Sequence, residues 1–144
     1  MKYYKLDDNK HPYAVKNEKD TRVERKGNEV HVYLTTIRSH FSPDWIEGVK
    51  LGDVVYFHLT NLEQDWDVPH GFAIKGANNA ELLVMPGQTE TLKWIPKSVG
   101  MFPMYCTDFC SALHQEMQGY VRVHPANANV KLSWGLGENE TQGK

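Results

Sequence analysis

The chain reads as an all-β protein, a sandwich or barrel built from about seven short strands with turn signals between them. Two observations carry that reading. Stretches of alternating apolar and polar residues recur along the middle of the sequence, and a period of two matches the pleat of a half-buried strand. Between them lie glycine, proline, asparagine and aspartate clusters of the kind that break strands.

Taken in order, residues 29–38 alternate, with Val30, Val32 and Leu34 on one face and Glu29, His31 and Tyr33 on the other. The Lys50-Leu51-Gly52-Asp53 run reads as a turn, and residues 54–61, rich in β-branched and aromatic side chains, follow as a strand. Further strands are expected over 71–75, 81–85, 89–95, 101–105 and 120–124. The segment 111–117 has the composition of a brief helical turn, and no internal repeat or low-complexity tract appears.

The 144 residues are expected to form one domain, which at this size buries roughly two-thirds of its unfolded surface. No apolar run approaches the roughly 20 residues that span a bilayer. The N-terminal MKYYKLDDNK lacks the apolar core of a signal peptide. Residues 1–28 carry net charge +3 and read as a linker or solvated arm, whereas residues 29–144 carry −5. The compact domain is expected over 29–125, followed by a glycine-containing tail over 126–144. With the basic arm set aside no basic stripe remains, so nothing resembles a nucleic-acid footprint.

The chemistry concentrates in YCTDFCSALHQEM. It sets Cys106, Cys110, His114 and Met117 in a Cys-x3-Cys-x3-His-x2-Met array, and the chain has no other cysteine. Thiolate and thioether sulfur favour copper, and imidazole suits copper or zinc. His70, in VPHGF, offers a second imidazole. A mononuclear blue-copper site takes one cysteine, two histidines and a weak axial methionine, so one thiolate is left over here. Two cysteines four residues apart can instead bridge two metals. Cys106 and Cys110 would then bridge, His70 and His114 would be terminal ligands, Met117 a weak axial one, and the backbone carbonyl of Asp108 would serve the second metal.

Other arrangements stay open on these residues. A single copper could use His70, Cys110, His114 and Met117; a tetrahedral Cys2His2 zinc site could staple the fold; an exposed dithiol could deliver copper; and the two cysteines could form a disulfide in an oxidising compartment.

The His…Cys-x3-Cys-x3-His-x2-Met constellation resembles the dinuclear copper A (CuA) centre of a cupredoxin domain, carried by nitrous-oxide reductase and by subunit II of the haem-copper oxidases. HGFAI and HQEMQGYV resemble the C-terminal domain of the reductase more, over about residues 29–125. One departure is Asp108, where many reductases have tryptophan and the oxidase an acidic residue. Since the ligand there is a carbonyl, the centre tolerates the exchange.

The resemblance implies a Greek-key cupredoxin fold, two copper ions in a mixed-valence pair, and a periplasmic location with an export signal far upstream. It implies a role in electron transfer rather than catalysis by this domain alone. The partners implied are a donor such as a c-type cytochrome and the propeller domain that holds the catalytic copper cluster, in a homodimer when full length. Seven histidines cannot rebuild that cluster.

The acidic body fits a positively charged donor, because complementary charge speeds encounter. Trp66, Phe72 and Phe102, with Met101 and Met104, lie near the ligands in sequence and are candidates for an apolar docking patch or for core. Asp65 and Asp67 would give Trp66 an acidic rim. Met85, Met101 and Met104 read as core methionines. His31, His58, His11, His40 and His124 read as structural or surface groups, and Glu81 and Glu116 as solvent or supporting carboxylates. No nucleophile-and-base pair, phosphate loop or paired carboxylates stand out.

Overall fold

The alternating stretches fold as strands of two facing sheets. The structure is a computed structural model, and it describes residues 12–15, 17–37, 40–62, 70–74, 82–105, 117–136 and 140–143. After a 3-10 turn at Glu18–Asp20 come β1 (Arg22–Lys26), β2 (Glu29–Ile37), β3 (His40–Ser42), β4 (Trp45–Lys50), β5 (Val54–Asn61) and β6 (His70–Ile74). They are followed by β7 (Leu82–Val84), β8 (Thr89–Trp94), β9 (Gly100–Tyr105), β10 (Met117–His124), β11 (Ser133–Leu136) and β12 (Glu140–Gly143). One sheet runs β1-β2-β5-β8, with β3 also paired to β2, and the other runs β12-β11-β4-β10-β9-β6-β7. Most neighbours are antiparallel, but β2 and β5, and likewise β4 and β10, run parallel.

The period-two pattern is what closes the sandwich. Val30, Val32 and Leu34 of β2, Val55, Phe57 and Leu59 of β5, and Leu92 and Trp94 of β8 turn to one side and are buried. They meet Ile46 and Val49 of β4, Phe72 and Ile74 of β6, Met104 of β9 and Val121 and Val123 of β10. Burying an aliphatic or aromatic side chain of this size stabilises by about 1.5–3 kcal/mol. The strands expected over 29–38, 54–61, 71–75, 81–85, 89–95, 101–105 and 120–124 are all present, with ends moved by up to three residues.

The two ends depart from expectation. Within the arm expected over 1–28, Arg22–Lys26 is a strand antiparallel to β2, and its Val23 is fully buried. Its charged residues hid it, because four of the five residues of RVERK are polar and only Val23 faces the core. The tail expected over 126–144 supplies β11, which pairs with β4 and buries Trp134. The strand β4 was also missed, since Gly48 interrupts WIEGVK at a left-handed backbone position, φ 100°. Of the expected helical turn over 111–117, only Met117 lies among the described residues, and it opens β10.

The turn Lys50-Leu51-Gly52-Asp53 forms as expected, and one carboxylate organises it. Asp53 accepts from the Lys50 amide at 2.8 Å and takes a two-pronged pair from Arg25, at 2.8 and 2.9 Å. The same guanidinium donates to the Gly48 carbonyl at 3.2 Å, so Arg25 of β1 ties the turn to the bend in β4. The Asp53 hydrogen bonds raise the Arg25 pKa against the opposing effect of burial.

A second junction joins β10 to the segment before β4. The Asp44 carbonyl accepts from the Tyr120 amide at 3.0 Å, while the Asp44 amide donates to Gly135 at 2.9 Å. Gly119 lets these backbones meet, because a Cβ at that position would run into the Asp44 carbonyl. Backbone cannot yield as a flexible side chain would. Gly119→Ala is therefore expected to cost about 1–3 kcal/mol, the usual penalty of overpacking, read as a lower midpoint in chemical denaturation with an unchanged slope.

Candidate metal centre

The soft-ligand array occupies the connection between β9 and β10. Cys106, Asp108, Cys110 and His114 lie outside the described residues, as does Trp66. The strands that carry the connection are described, and they set where it begins and ends. Tyr105 and Met117 are Cα partners in the antiparallel β9–β10 ladder. The connection that holds both cysteines and His114 is thus pinched at its base by a strand pair, with Met117 at the pinch.

A bulge sits beside that pinch. From Met117 to Gly119 the chain advances two residues while its partner advances one, from Tyr105 to Met104. The extra residue is Gln118. Such bulges bend a strand and re-aim its neighbours, and they concentrate next to functional sites.

His70 arrives on the other side of β9. Strand β6 is antiparallel to β9, with Ala73 opposite Tyr105 and Ile74 opposite Met104. Three residues before Ala73, His70 lies about 10 Å beyond the level of Tyr105 at ~3.3 Å per residue. That is the side on which the Cys106–His114 connection leaves the sheet. Three adjacent strands, β6, β9 and β10, therefore deliver His70, the cysteine-bearing connection and Met117 to one end of the sandwich. The residue types supply two thiolates, two imidazoles and a thioether. A donor set of this softness, gathered at one end of a rigid sheet, fits copper.

The sheet below is knit by polar groups on its outer face. Glu47 of β4 accepts from the Tyr120 hydroxyl at 3.4 Å and from Arg122 Nε at 3.1 Å, and its other oxygen lies 3.5 Å from His124 Nε2. Burial and then the Glu47 charge hold the Tyr120 phenol above its ordinary pKa.

The apolar candidates divide. Phe72, expected as a docking residue or as core, is fully buried, edge-on to Phe41 and tilted against Phe57, both at 5.3 Å. It belongs to the core and offers no surface. Phe102 is partly buried, with its ring 5.2 Å from Trp94. Met104 is core, as expected, but Met85 and Met101 are exposed, at 39% and 48%.

Leu83, 57% exposed on β7, the strand that flanks β6, is followed just past that strand's end by Met85. Met85 was expected in the core, and Leu83 had no assigned role. In LLVM every position is apolar, so no alternation marks which phase faces out; only the pairing of β7 at the edge of the sheet decides it. His40 is placed in β3, and His11, Glu81 and Glu116 lie outside the described residues.

No family model matches the chain. Individual relatives do. Nitrous-oxide reductase of Cupriavidus necator is 40% identical over 115 residues, 80% of this chain and 17% of that protein. The reductase of Stutzerimonas stutzeri is 37% identical over 107 residues, 74% and 16%. The chain thus spans about one sixth of the reductases it matches. Cytochrome c oxidase subunit 2 of Thermus thermophilus is 32% identical over 102 residues, 70% of each chain.

Among solved structures, a heme-copper terminal oxidase dimer has a chain sharing the fold with TM-score 0.61 at 19% identity, over 80% of this chain and 74% of that one. The periplasmic domain of subunit II of the Bradyrhizobium japonicum cytochrome oxidase shares it with TM-score 0.52 at 18% identity, over 72% and 88%. With an all-β sandwich that delivers a Cys-x3-Cys-x3-His-x2-Met connection and a strand-borne histidine to one end, this chain belongs to the family of CuA-type cupredoxin domains found in nitrous-oxide reductase and in subunit 2 of cytochrome c oxidase.

Proposed function

We propose that the chain is the electron-entry domain of a nitrous-oxide reductase, with two copper ions held by Cys106, Cys110, His70, His114, Met117 and the backbone carbonyl of Asp108. The observation that carries the reading is the pairing of Tyr105 with Met117 beneath the two-cysteine connection, with β6 bringing His70 alongside. Bound there, a thiolate-bridged copper pair supplies a one-electron couple whose charge change is spread over both ions. The protein's own task is to fix the donors, keep water from the sulfurs and set the potential through its axial groups.

The rigid part of the site is supplied by strands. Met117 sits at the base of the connection and beside a bulge, so its reach is set by the β9–β10 ladder rather than by the loop. Beneath it the fully buried Met104, Val121 and Phe72 exclude water from the sheet side. Leu83 on the strand next to β6 and Met85 just past its end, both exposed, provide an apolar rim for a redox partner. Residues 29–144 carry net charge −5, which favours encounter with a positively charged donor such as a c-type cytochrome. The electron would pass on to the catalytic copper cluster of a propeller domain in the same polypeptide, in a periplasmic homodimer.

A second reading rests on one finding: the match to the Thermus subunit 2 covers 70% of that protein, against 16–17% of the reductases. In that reading the same centre feeds an oxidase. The higher identity to the reductases, 37–40% against 32%, favours the first. A full-length polypeptide with a propeller upstream supports it, and one with membrane helices replaces it.

Copper loading tests the centre itself. The reconstituted chain is expected to hold two copper ions with one unpaired electron shared between them in paramagnetic resonance; one copper, silent zinc or a Cys106–Cys110 disulfide in the active form refutes it. Cys106→Ser is expected to lower the copper content to one ion or fewer per chain by metal analysis. Met117→Leu is expected to keep both ions and move the reduction potential by tens of millivolts, since axial groups tune it; voltammetry reads the shift, and an unchanged potential removes Met117 from the ligand set.

A further inference from the structure

On the far side of the five-stranded sheet, away from the core, His31 and His58 meet ring to ring. His31 Nδ1 lies 2.9 Å from His58 Nε2. The outer nitrogens are also engaged: His31 Nε2 lies 3.2 Å from Glu29 Oε1, and His58 Nδ1 lies 2.8 Å from Thr91 Oγ1. Four groups from β2, β5 and β8 thus form a chain across the sheet, from exposed Glu29 to exposed Thr91.

The middle of that chain is covered. Tyr13, from the segment preceding β1, stacks on His58 with ring centroids 4.0 Å apart and planes 18° apart, and His58 is only 1% exposed. On the other side Tyr56 stacks on His31 at 4.8 Å. The same segment is anchored by Val15, buried, whose amide donates to Thr60 Oγ1 at 3.2 Å.

We propose that His31 and His58 act as a one-proton latch that holds residues 12–15 on the outer face of this sheet. A bond between two ring nitrogens needs one hydrogen and one lone pair. With both rings neutral, Thr91 donates to His58 Nδ1, His58 Nε2 donates to His31 Nδ1, and His31 Nε2 donates to Glu29. One added proton is accommodated by reversing the first two bonds: His31 Nδ1 then donates to His58 Nε2, and His58 Nδ1 donates to the Thr91 hydroxyl. The resulting cation on His31 has the Tyr56 ring stacked against it at 4.8 Å, where an aromatic face favours it. A second added proton has no place, because hydrogens on both facing nitrogens would collide across 2.9 Å and two like charges would share a covered site. The rings must then part, and Tyr13 loses its platform.

The surrounding charges do not remove this limit. Glu29 meets His31 directly, and Glu24 of β1, the cross-strand partner of His31, is held by Arg22 at 2.8 Å. Arg22 itself lies over the Tyr33 ring at 3.9 Å. From β8, Lys93 opposes Tyr56 and Thr91 opposes His58. Attachment of the segment is therefore kept while the pair carries at most one added proton and lost when both rings are protonated.

The test follows the rings of the whole chain by NMR from about pH 7.5 to about pH 4.5, a span bracketing the ordinary histidine value of about 6.5. Ring nitrogen shifts count the protons, and the Tyr13–His58 through-space contact reports the segment. The expected result is that the contact survives the first proton and disappears with the second, with exchange of the Val15 amide accelerating at least tenfold while Phe57 stays protected. In His31→Gln the amide side chain still offers His58 a partner but takes up no proton, so the contact is expected to persist across the whole span. A Tyr13–His58 contact that outlasts full protonation of both wild-type rings overturns the proposal, and so does release in His31→Gln in step with the wild type. If His31→Gln does not fold, the wild-type titration decides alone.

Discussion

The arrangement depends on the antiparallel ladder between β9 and β10. Ordering a connection with two cysteines and a histidine around a metal would cost the conformational entropy of each residue held. Pairing Tyr105 with Met117 closes its ends before any metal arrives. Strand β6 then lies against β9, so His70 comes from a second rigid element rather than from the same loop. The division of labour is between strands that set distance and a connection that supplies sulfur.

That ladder is in turn held from its other side. Strand β10 runs parallel to β4, and β4 is paired with β11. The Asp44 carbonyl reaches Tyr120 across the contact that Gly119 leaves open. The Arg25–Asp53 pair fastens the bend of β4 to the first sheet. A chain of contacts therefore leads from the base of the copper connection through β4 to β1, which the charge pattern of the sequence had assigned to a loose arm.

Much of this was legible in the residues, and the failures have physical causes. Long strands with a strict period, such as 29–37 and 54–61, could be read because one face is core and the other is not. Short or edge strands could not: RVERK shows the core a single valine, and WIEGVK is broken by a glycine whose positive φ only the folded bend requires. The donor set was proposed from spacing, because four soft ligands in twelve residues have few other uses, and its cysteines and His114 lie outside the described residues. Phe72 stood as a docking residue or as core and belongs to the core, a choice the residues left open because nearness in sequence to His70 says nothing about which face of β6 a side chain occupies. The His31–His58 contact was invisible for the same reason: the two rings come from strands 27 residues apart, joined by a parallel pairing that no local pattern announces.

Parallel pairing between β4 and β10 has a consequence for biogenesis. A strand at residues 45–50 finds its neighbours only among residues 117–124 and 133–135, so the contacts that hold the base of the β9–β10 connection are among the most distant in sequence. Topologies of this kind fold slowly, because long loops must close before native contacts reward them. The contacts between β4 and β10 can therefore form only once residues 117–124 have been made.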